Sequence, residues 1–569
     1  KKWGNRIGAI VLACALTVNG LPVQSISTST RKANAAAKSE TEKQDVSQPE
    51  TKMGNVVLNG NDIAVNNVNG LTYKGFGMLS GNSTSDLLMD YKAEQPKAYA
   101  ELMQYLFGGN YPIMNHVKLE MGNDRNTSTG PESCTKRTEK EKANVLRNPG
   151  WQLAADAKKI NPKIKVSILR WEAPVWAGTD EKIYQWYKET ILDAYEKYGY
   201  MVDYINPNIN EKWDVDSDVA FTKKFAKWIA AETKETIPDE KALALYHKIK
   251  LVVSDEAGTA SDSVVESMKS DSDFYNSVDV VGYHYSPWDD SNGGMKWLAQ
   301  TKDKEVWNSE AQATFSNSAF RPSNNVKDPT TEGTGLGGTG SALEMANTFI
   351  KGFVQSRRSH VIYQPAIGSF YEGAQFSFKE LVSARDPWSG WIHYDAGLLM
   401  LAHISKFAVT GWENEDNTAG IWRAVPQASK CTADGTNPVN GRNGGENYMT
   451  LASPAKDNFS TMIVNDSEYP MEYKIQTKNM KLAEDQNLEI WETRAADDGA
   501  FNENYMKCIG TAKADDNGVY TVKVKPYSAV TVTTLQVADD EEHTKALPVE
   551  GERVVLDTDR TGSKQDVEN

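Results

Sequence analysis

Eight short apolar runs, each followed by a helical or loop segment, restrict the fold of this chain more than any other feature. The runs are residues 75–79, 116–121, 164–171, 204–209, 250–254, 278–285, 305–307 and 361–367. Strands separated by helical crossovers pair in parallel, and eight such units over ~330 residues predict a closed (β/α)8 barrel with insertions. Two crossover helices are predicted at 184–198 and 220–235, where apolar positions recur three and four apart and Lys and Glu take the other face.

Past about Ile404 the pattern changes to runs at 448–452, 459–464, 471–475, 488–491 and 519–535, broken by Asn, Asp and Gly turns. This is the texture of a β-sandwich. The fold class is therefore α/β plus all-β, a TIM barrel over 74–403 joined to a β-sandwich over 404–536. Strands within 54–73 are expected to join the sandwich. Residues 1–35 combine a basic start, an apolar run from Ile7 to Val18 and an Ala33-Asn-Ala35 site, which predicts a signal peptide and a secreted or cell-surface protein. Residues 36–53 read as a disordered spacer, and 537–569 as an acidic linker leading toward a further domain.

Sixty-two Lys and Arg against seventy-seven Asp and Glu give a net charge of −15, which argues against nucleic acid or anionic membrane as partner. No segment of the mature chain is long enough to cross a bilayer, and the protein is expected to act as a monomer. Outside the signal stand Cys134, Cys431 and Cys508, an odd number that excludes a complete disulfide framework. Pairing of Cys431 with Cys508 and free buried thiols both remain open. The histidines and cysteines show no metal-ligand spacing, and the glycine-rich stretch 333–340 lacks the lysine and the strand-to-helix context of a phosphate loop. Neither metal nor cofactor is expected.

The chemistry is expected where barrel strands end. The fourth run leads into Asn210-Glu211 and the seventh into Trp307-Asn-Ser-Glu310. Strands four and seven face each other across a barrel mouth, so Glu211 and Glu310 can flank one sugar and divide acid/base and nucleophilic work at a glycosidic bond. Asn210 suits a sugar hydroxyl and Trp171 a pyranose face. His284 and Tyr285 end the sixth run, where they can hydrogen-bond the nucleophile or simply hold structure. Trp388 and Trp391 can line the pocket or pin barrel to sandwich. Glu120, Glu172, Asp255 and Glu256 lie near strand ends too, as rivals that can hold hydrogen bonds or tune the pair.

The order of these motifs resembles the galactocerebrosidase family of glycoside hydrolases, family 59. The likeness runs from about 75 to 535 through Gly75-Phe-Gly-Met-Leu-Ser-Gly81, His116-Val-Lys-Leu-Glu-Met-Gly122, Trp171-Glu-Ala-Pro-Val-Trp-Ala-Gly178, Asn210-Glu211, Trp307-Asn-Ser-Glu310 and Asp386-Pro-Trp-Ser-Gly390. The resemblance implies a retaining hydrolase that removes terminal β-galactose from a carbohydrate or glycolipid, with Glu211 as acid/base and Glu310 as nucleophile. By it Asn210, Trp171 and Thr127 contact the sugar. Ala313, Tyr363 and Phe376 depart from the family pattern, Tyr363 standing where the family has a substrate-side tryptophan. A hydrolase of another sugar on the same barrel, or a carbohydrate-binding protein without turnover, are the alternatives.

Overall fold

The computed structural model describes residues 49–545 apart from 67–68, 82–83, 126–130, 257–259, 313–335, 338–340, 369–379, 413–419, 433–442 and 495–504. The expected signal peptide and residues 36–48 of the spacer lie outside the described residues, as do Thr127, Ala313 and Phe376, while residues 52 and 53, expected in the spacer, begin a strand. Strand β1 (Lys52–Asn59) precedes the barrel. The barrel strands are β2 (Gly75–Ser80), β3 (His116–Glu120), β4 (Lys165–Arg170), β5 (Tyr204–Ile209), β6 (Lys250–Glu256), β7 (Val280–His284), β8 (Glu305–Ala311) and β9 (His360–Tyr363). All pair in parallel, and β9 closes on β2.

The crossover helix Asp180–Tyr198 begins where the Thr179 side chain accepts the Lys182 N–H and ends at Gly199, whose φ of 79° is the left-handed turn a C-terminal glycine provides. The next helix, Val215–Ala231, is capped by Asp214 and stops earlier than its periodicity predicts. Glu232 is extended there, and Thr233 and Thr236 bond one another in a turn ahead of Pro238. Strand β8 instead runs four residues past the apolar stretch expected to bound it. Asn308, Ser309 and Glu310 are polar but buried, and the Glu310 and Ala311 carbonyls accept the N–H groups of Tyr285 and Gln364.

The barrel floor is polar as well as aromatic. Trp307, Trp412 and Tyr204 enclose a His116–His360 stack with ring centroids 5.0 Å apart. The Gly75 carbonyl, which only accepts, fixes the proton on His360 Nδ1 at 2.9 Å. His360 Nε2 must then accept from His116 Nδ1 at 2.9 Å, and His116 Nε2 from the Ser167 hydroxyl at 2.7 Å. Both rings are neutral, and burial holds their protonation below the ordinary range, His360 at about 3.

After the barrel, short strands β10 (Ile367–Gly368), β11 (Val382–Asp386) and β12 (Trp391–Tyr394) form a small separate sheet. The buried helix Ala396–Ser405 then leads into the sandwich. One sheet of the sandwich holds β13 (Arg423–Ala424), β14 (Tyr448–Ala452), β15 (Phe459–Asn465), β20 (Ser528–Thr533), β17 (Leu488–Arg494) and β18 (Lys507–Ala512) in that order. The other sets β1 beside β16 (Met471–Lys478) and β19 (Val519–Val524), with β1 parallel to β16. Val56, Leu58, Tyr473 and Ile475 from one sheet share a buried cluster with Ile463, Val530 and Val532 from the other. His403 of the linking helix bonds Thr531 at 2.9 Å and Thr493 at 2.8 Å, tying barrel to sandwich.

The segment from residue 537, expected as a linker, is anchored as far as Lys545. Glu542 accepts the N–H groups of Asn110 and Tyr111, and buried His543 packs on Tyr111, Phe407 and Trp491. Aromatic contact outweighs the acidic composition here. Cys134, Cys431 and Cys508 are free thiols. Among the described residues no helix is long and apolar enough to cross a membrane.

Candidate active site

Register shifts at Ser254/Glu256, Gly282/His284 and Asn308/Ala311 interrupt three successive strand pairs near their C-terminal ends. Such bulges re-aim side chains, and these turn polar groups toward the mouth. Glu310 projects from β8 with its side chain 3 % exposed. Glu211 lies just past β5 at φ 55°, a left-handed backbone that non-glycine residues rarely take, and its N–H donates to the Asp255 carbonyl at 3.0 Å. Its carboxyl is 30 % exposed.

His284 joins the two. Its Nδ1 lies 3.1 Å from a Glu211 oxygen and 3.7 Å from a Glu310 oxygen, and the three side chains' donor atoms fall within 4.8 Å of one another. Its Nε2 faces Asp255 at 3.4 Å. The Tyr285 hydroxyl donates to the other Glu310 oxygen. Asp255 is fully buried and also takes the Asn206 amide at 2.7 Å and Lys118 at 3.1 Å. A side chain at Gly282 would place its Cβ 2.6 Å from the Asp255 carboxylate and 2.5 Å from the Ser309 hydroxyl, so that strand position must stay bare.

Burial works against ionisation of Asp255, but Lys118 and His284 hold its carboxyl far below the usual range. Burial likewise works against a charge on His284, yet Glu310, Asp255 and Glu211 raise it to about 9. Burial raises Glu310, whereas the His284 hydrogen bond lowers Glu211 in spite of its own partial burial, so the unliganded site favours the proton on Glu310. Among the described residues this is also the one imidazole–carboxylate cluster compact enough to cage a cation. Because each ring nitrogen faces a carboxylate, the ring is a proton donor, and no metal is assigned to it.

The model of glycosyl hydrolase family 59 matches residues 73–406. The chain belongs to that family. It is 26 % identical over 357 residues to a galactocerebrosidase of Danio rerio, covering 60 % of this chain and 46 % of the relative. To the galactocerebrosidase of Mus musculus it is 25 % identical over 481 residues, covering 82 % and 61 %. It therefore spans roughly half the length of the curated relatives it matches. The structure of SrfJ from Salmonella typhimurium superposes with a TM-score of 0.55 at 12 % identity, over 86 % of this chain and 94 % of that one, and shares the fold.

Within this family 59 barrel the structure brings together Glu211, Glu310, His284 and Tyr285. Asn210, next to Glu211, is fully buried with neither oxygen nor nitrogen of its side chain hydrogen-bonded. Trp171 is partly buried above the barrel cluster of Leu169, Tyr204 and Trp307. Tyr363 is corrected: it is 1 % exposed and packs with Phe76 and Phe349 in the core between barrel and helix, not in a substrate-facing position. Trp388 is half exposed, and its carbonyl accepts from Gln95. Of the rival carboxyls, Glu172 pairs at the rim with Arg125 and Lys212, and Glu256 takes the Trp213 N–H. Asp255 proves the one woven into the pair. Lys118 escaped the sequence reading; its only signal was a lysine inside an apolar strand run.

Proposed function

We propose that this chain is a retaining glycoside hydrolase that removes terminal β-galactose, with Glu310 as nucleophile and Glu211 as acid/base. The observation that carries the reading is two carboxyls with oxygens within 4.8 Å, one sealed and one partly exposed. Retention needs carboxyls ~5–5.5 Å apart, whereas an inverting pair stands ~6.5–9.5 Å apart to admit a water. Glu310 attacks the anomeric carbon while Glu211 protonates the departing oxygen, giving a glycosyl ester. Glu211 then takes a proton from the water that cleaves it.

A bound galactoside reverses the resting proton preference. Its leaving oxygen strips water from Glu211 and raises that carboxyl's proton affinity, while positive charge growing at the anomeric carbon favours Glu310 as the anion. Tyr285 steadies that anion. The unpaired amide of Asn210 is positioned to serve a sugar hydroxyl, where a bond that tightens in the transition state contributes to rate. Galactose is supported by the names of the relatives, and export by the pattern of residues 1–35.

Glu310→Gln is expected to lower turnover of an aryl β-galactoside by at least ~10³-fold. Azide is expected to restore rate to Glu211→Ala by replacing the base-assisted water. Full activity in Glu310→Gln, or an early product of inverted configuration by NMR, refutes the mechanism. Aryl glycosides differing only in the sugar test the galactose assignment.

A further inference from the structure

Five ionisable side chains converge below the sugar position: Lys118 of β3, Asp255 of β6, His284 of β7, Glu310 of β8 and Glu211 past β5. Four of them are at most 4 % exposed. Two cations face three carboxyls, so the cluster is neutral when a single carboxyl holds a proton. That is the working state of a retaining pair.

Asp255 takes the Lys118 ammonium at 3.1 Å and the Asn206 amide at 2.7 Å, and it accepts from both as a carboxylate. An ionised carboxylate has no proton to give, so His284 Nε2 must be the donor toward it. On the other side Nδ1 meets Glu211 at 3.1 Å and Glu310 at 3.7 Å, and the Glu211 carboxyl is held below the ordinary range, which leaves it an acceptor. Both ring nitrogens therefore carry protons.

We propose that His284 is a stationary imidazolium, kept charged by the Lys118–Asp255 pair, that serves as counter-ion to Glu310 in the first half-reaction and to Glu211 in the second. The inference rests on the retaining reading of the pair. In glycosylation Glu211 loses its proton to the leaving oxygen and Glu310 becomes a neutral ester, so one negative charge passes from Glu310 to Glu211. Hydrolysis of the ester returns the proton to Glu211 and the charge to Glu310. One N–H within reach of both carboxyls meets the charge in either place, with no rotation of the ring and no change in the cluster's net charge. A site that had to recruit a new counter-ion at each step would pay reorganisation energy twice. The ring is faced by Glu211 from beyond β5, Asp255 from β6, Glu310 from β8 and the Tyr285 phenol from just past β7, while Lys118 reaches it through Asp255. These neighbours raise its protonation to about 9, in accord with the geometry. Asp255 and Lys118 are thus positioning residues that act through His284.

The first test is ¹⁵N NMR of histidine-labelled protein, with His284→Gln to assign the resonance. Both His284 nitrogens are expected to be protonated at pH 7. In Asp255→Asn the ¹⁵N titration of the His284 ring is expected to move down from about 9 toward 6.5. The burst that reports glycosylation and the steady-state rate that reports deglycosylation should fall by similar factors, ~10–100-fold each. A purely structural Asp255 would lower rates and leave the ring titration in place. If burial of unpaired Lys118 prevents Asp255→Asn from folding, Lys118→Met/Asp255→Asn removes both charges and should show the same shift of the ring titration. A neutral His284 at pH 7, or an unmoved ring titration in the folded variant, overturns the proposal. If Glu310→Gln is inactive while His284 is neutral, only this inference falls; if Glu310→Gln turns over normally, the retaining reading falls with it.

Discussion

Lowering the pH from 7.5 to 5 should weaken this fold through its buried neutral histidines, and the size of the effect follows from their surroundings. His403 is fully buried between the hydroxyls of Thr493 and Thr531, and His360 closes the barrel floor; burial holds each at about 3 against 6.5 for a free ring. A group depressed in the folded state supports the fold above its unfolded value, and that support is lost as the pH falls from 6.5 toward 3. At pH 5 the unfolded ring is mostly protonated and the folded one is not, a linkage of ~2 kcal/mol per ring. His116 acts with the same sign. His284 acts against them: raised to about 9, it stabilises most below 6.5 and loses that contribution as the pH climbs through 9, and between pH 7.5 and 5 it returns ~1.4 kcal/mol. Urea unfolding at the two pH values checks the net direction. His403→Gln isolates one ring, since it keeps a side chain able to bond both threonines and removes the titration. Its stability loss between pH 7.5 and 5 should be smaller than that of the parent by ~2 kcal/mol. Equal losses in parent and variant would refute the argument that desolvation of His403 sets this part of the pH dependence.

Asn210→Ala should lower kcat on an aryl galactoside by ~10²-fold while leaving the melting temperature equal or higher, because it removes a buried amide that makes no side-chain hydrogen bond. A lower melting temperature with unchanged kcat would assign that amide to the fold. His543→Ala should cost ~2–3 kcal/mol of stability by emptying the socket of Tyr111, Phe407 and Trp491, without altering kcat. Limited proteolysis should then cut between residues 537 and 545, and resistance equal to that of the parent would count against the anchoring role.

The barrel strands were legible because a strand buried on both faces must be apolar, and this shows in the sequence one residue at a time. Glu211 and Glu310 were legible by position for the same reason, as charges where apolar runs stop. Glu310 nevertheless lies within its strand, since the polar triplet Asn308 to Glu310 belongs to β8 and Glu310 pairs with His284 of β7. The support beneath the pair was harder to read. Lys118 and Asp255 lie on the second and fifth barrel strands, and no local spacing records that the closed barrel sets them 3.1 Å apart. Tyr363 misled in the opposite sense: alignment with a substrate-side tryptophan fixes a place along the strand, while the packing against Phe76 decides which side of the barrel the ring takes.

The pairing of β1 with β16 has a consequence for the order of assembly. Lys52 lies beside Met471, so every barrel strand is made between the two partners of this ladder. During synthesis β1 emerges long before its partner exists, and its alternating exposed and buried residues have nothing to pack on until the last third of the chain is made. The three-stranded sheet acts as a clasp that joins the strand ahead of the barrel to strands that follow it. Truncation just before β16 should therefore strand β1 as an unpaired, sticky edge even where the barrel itself has closed.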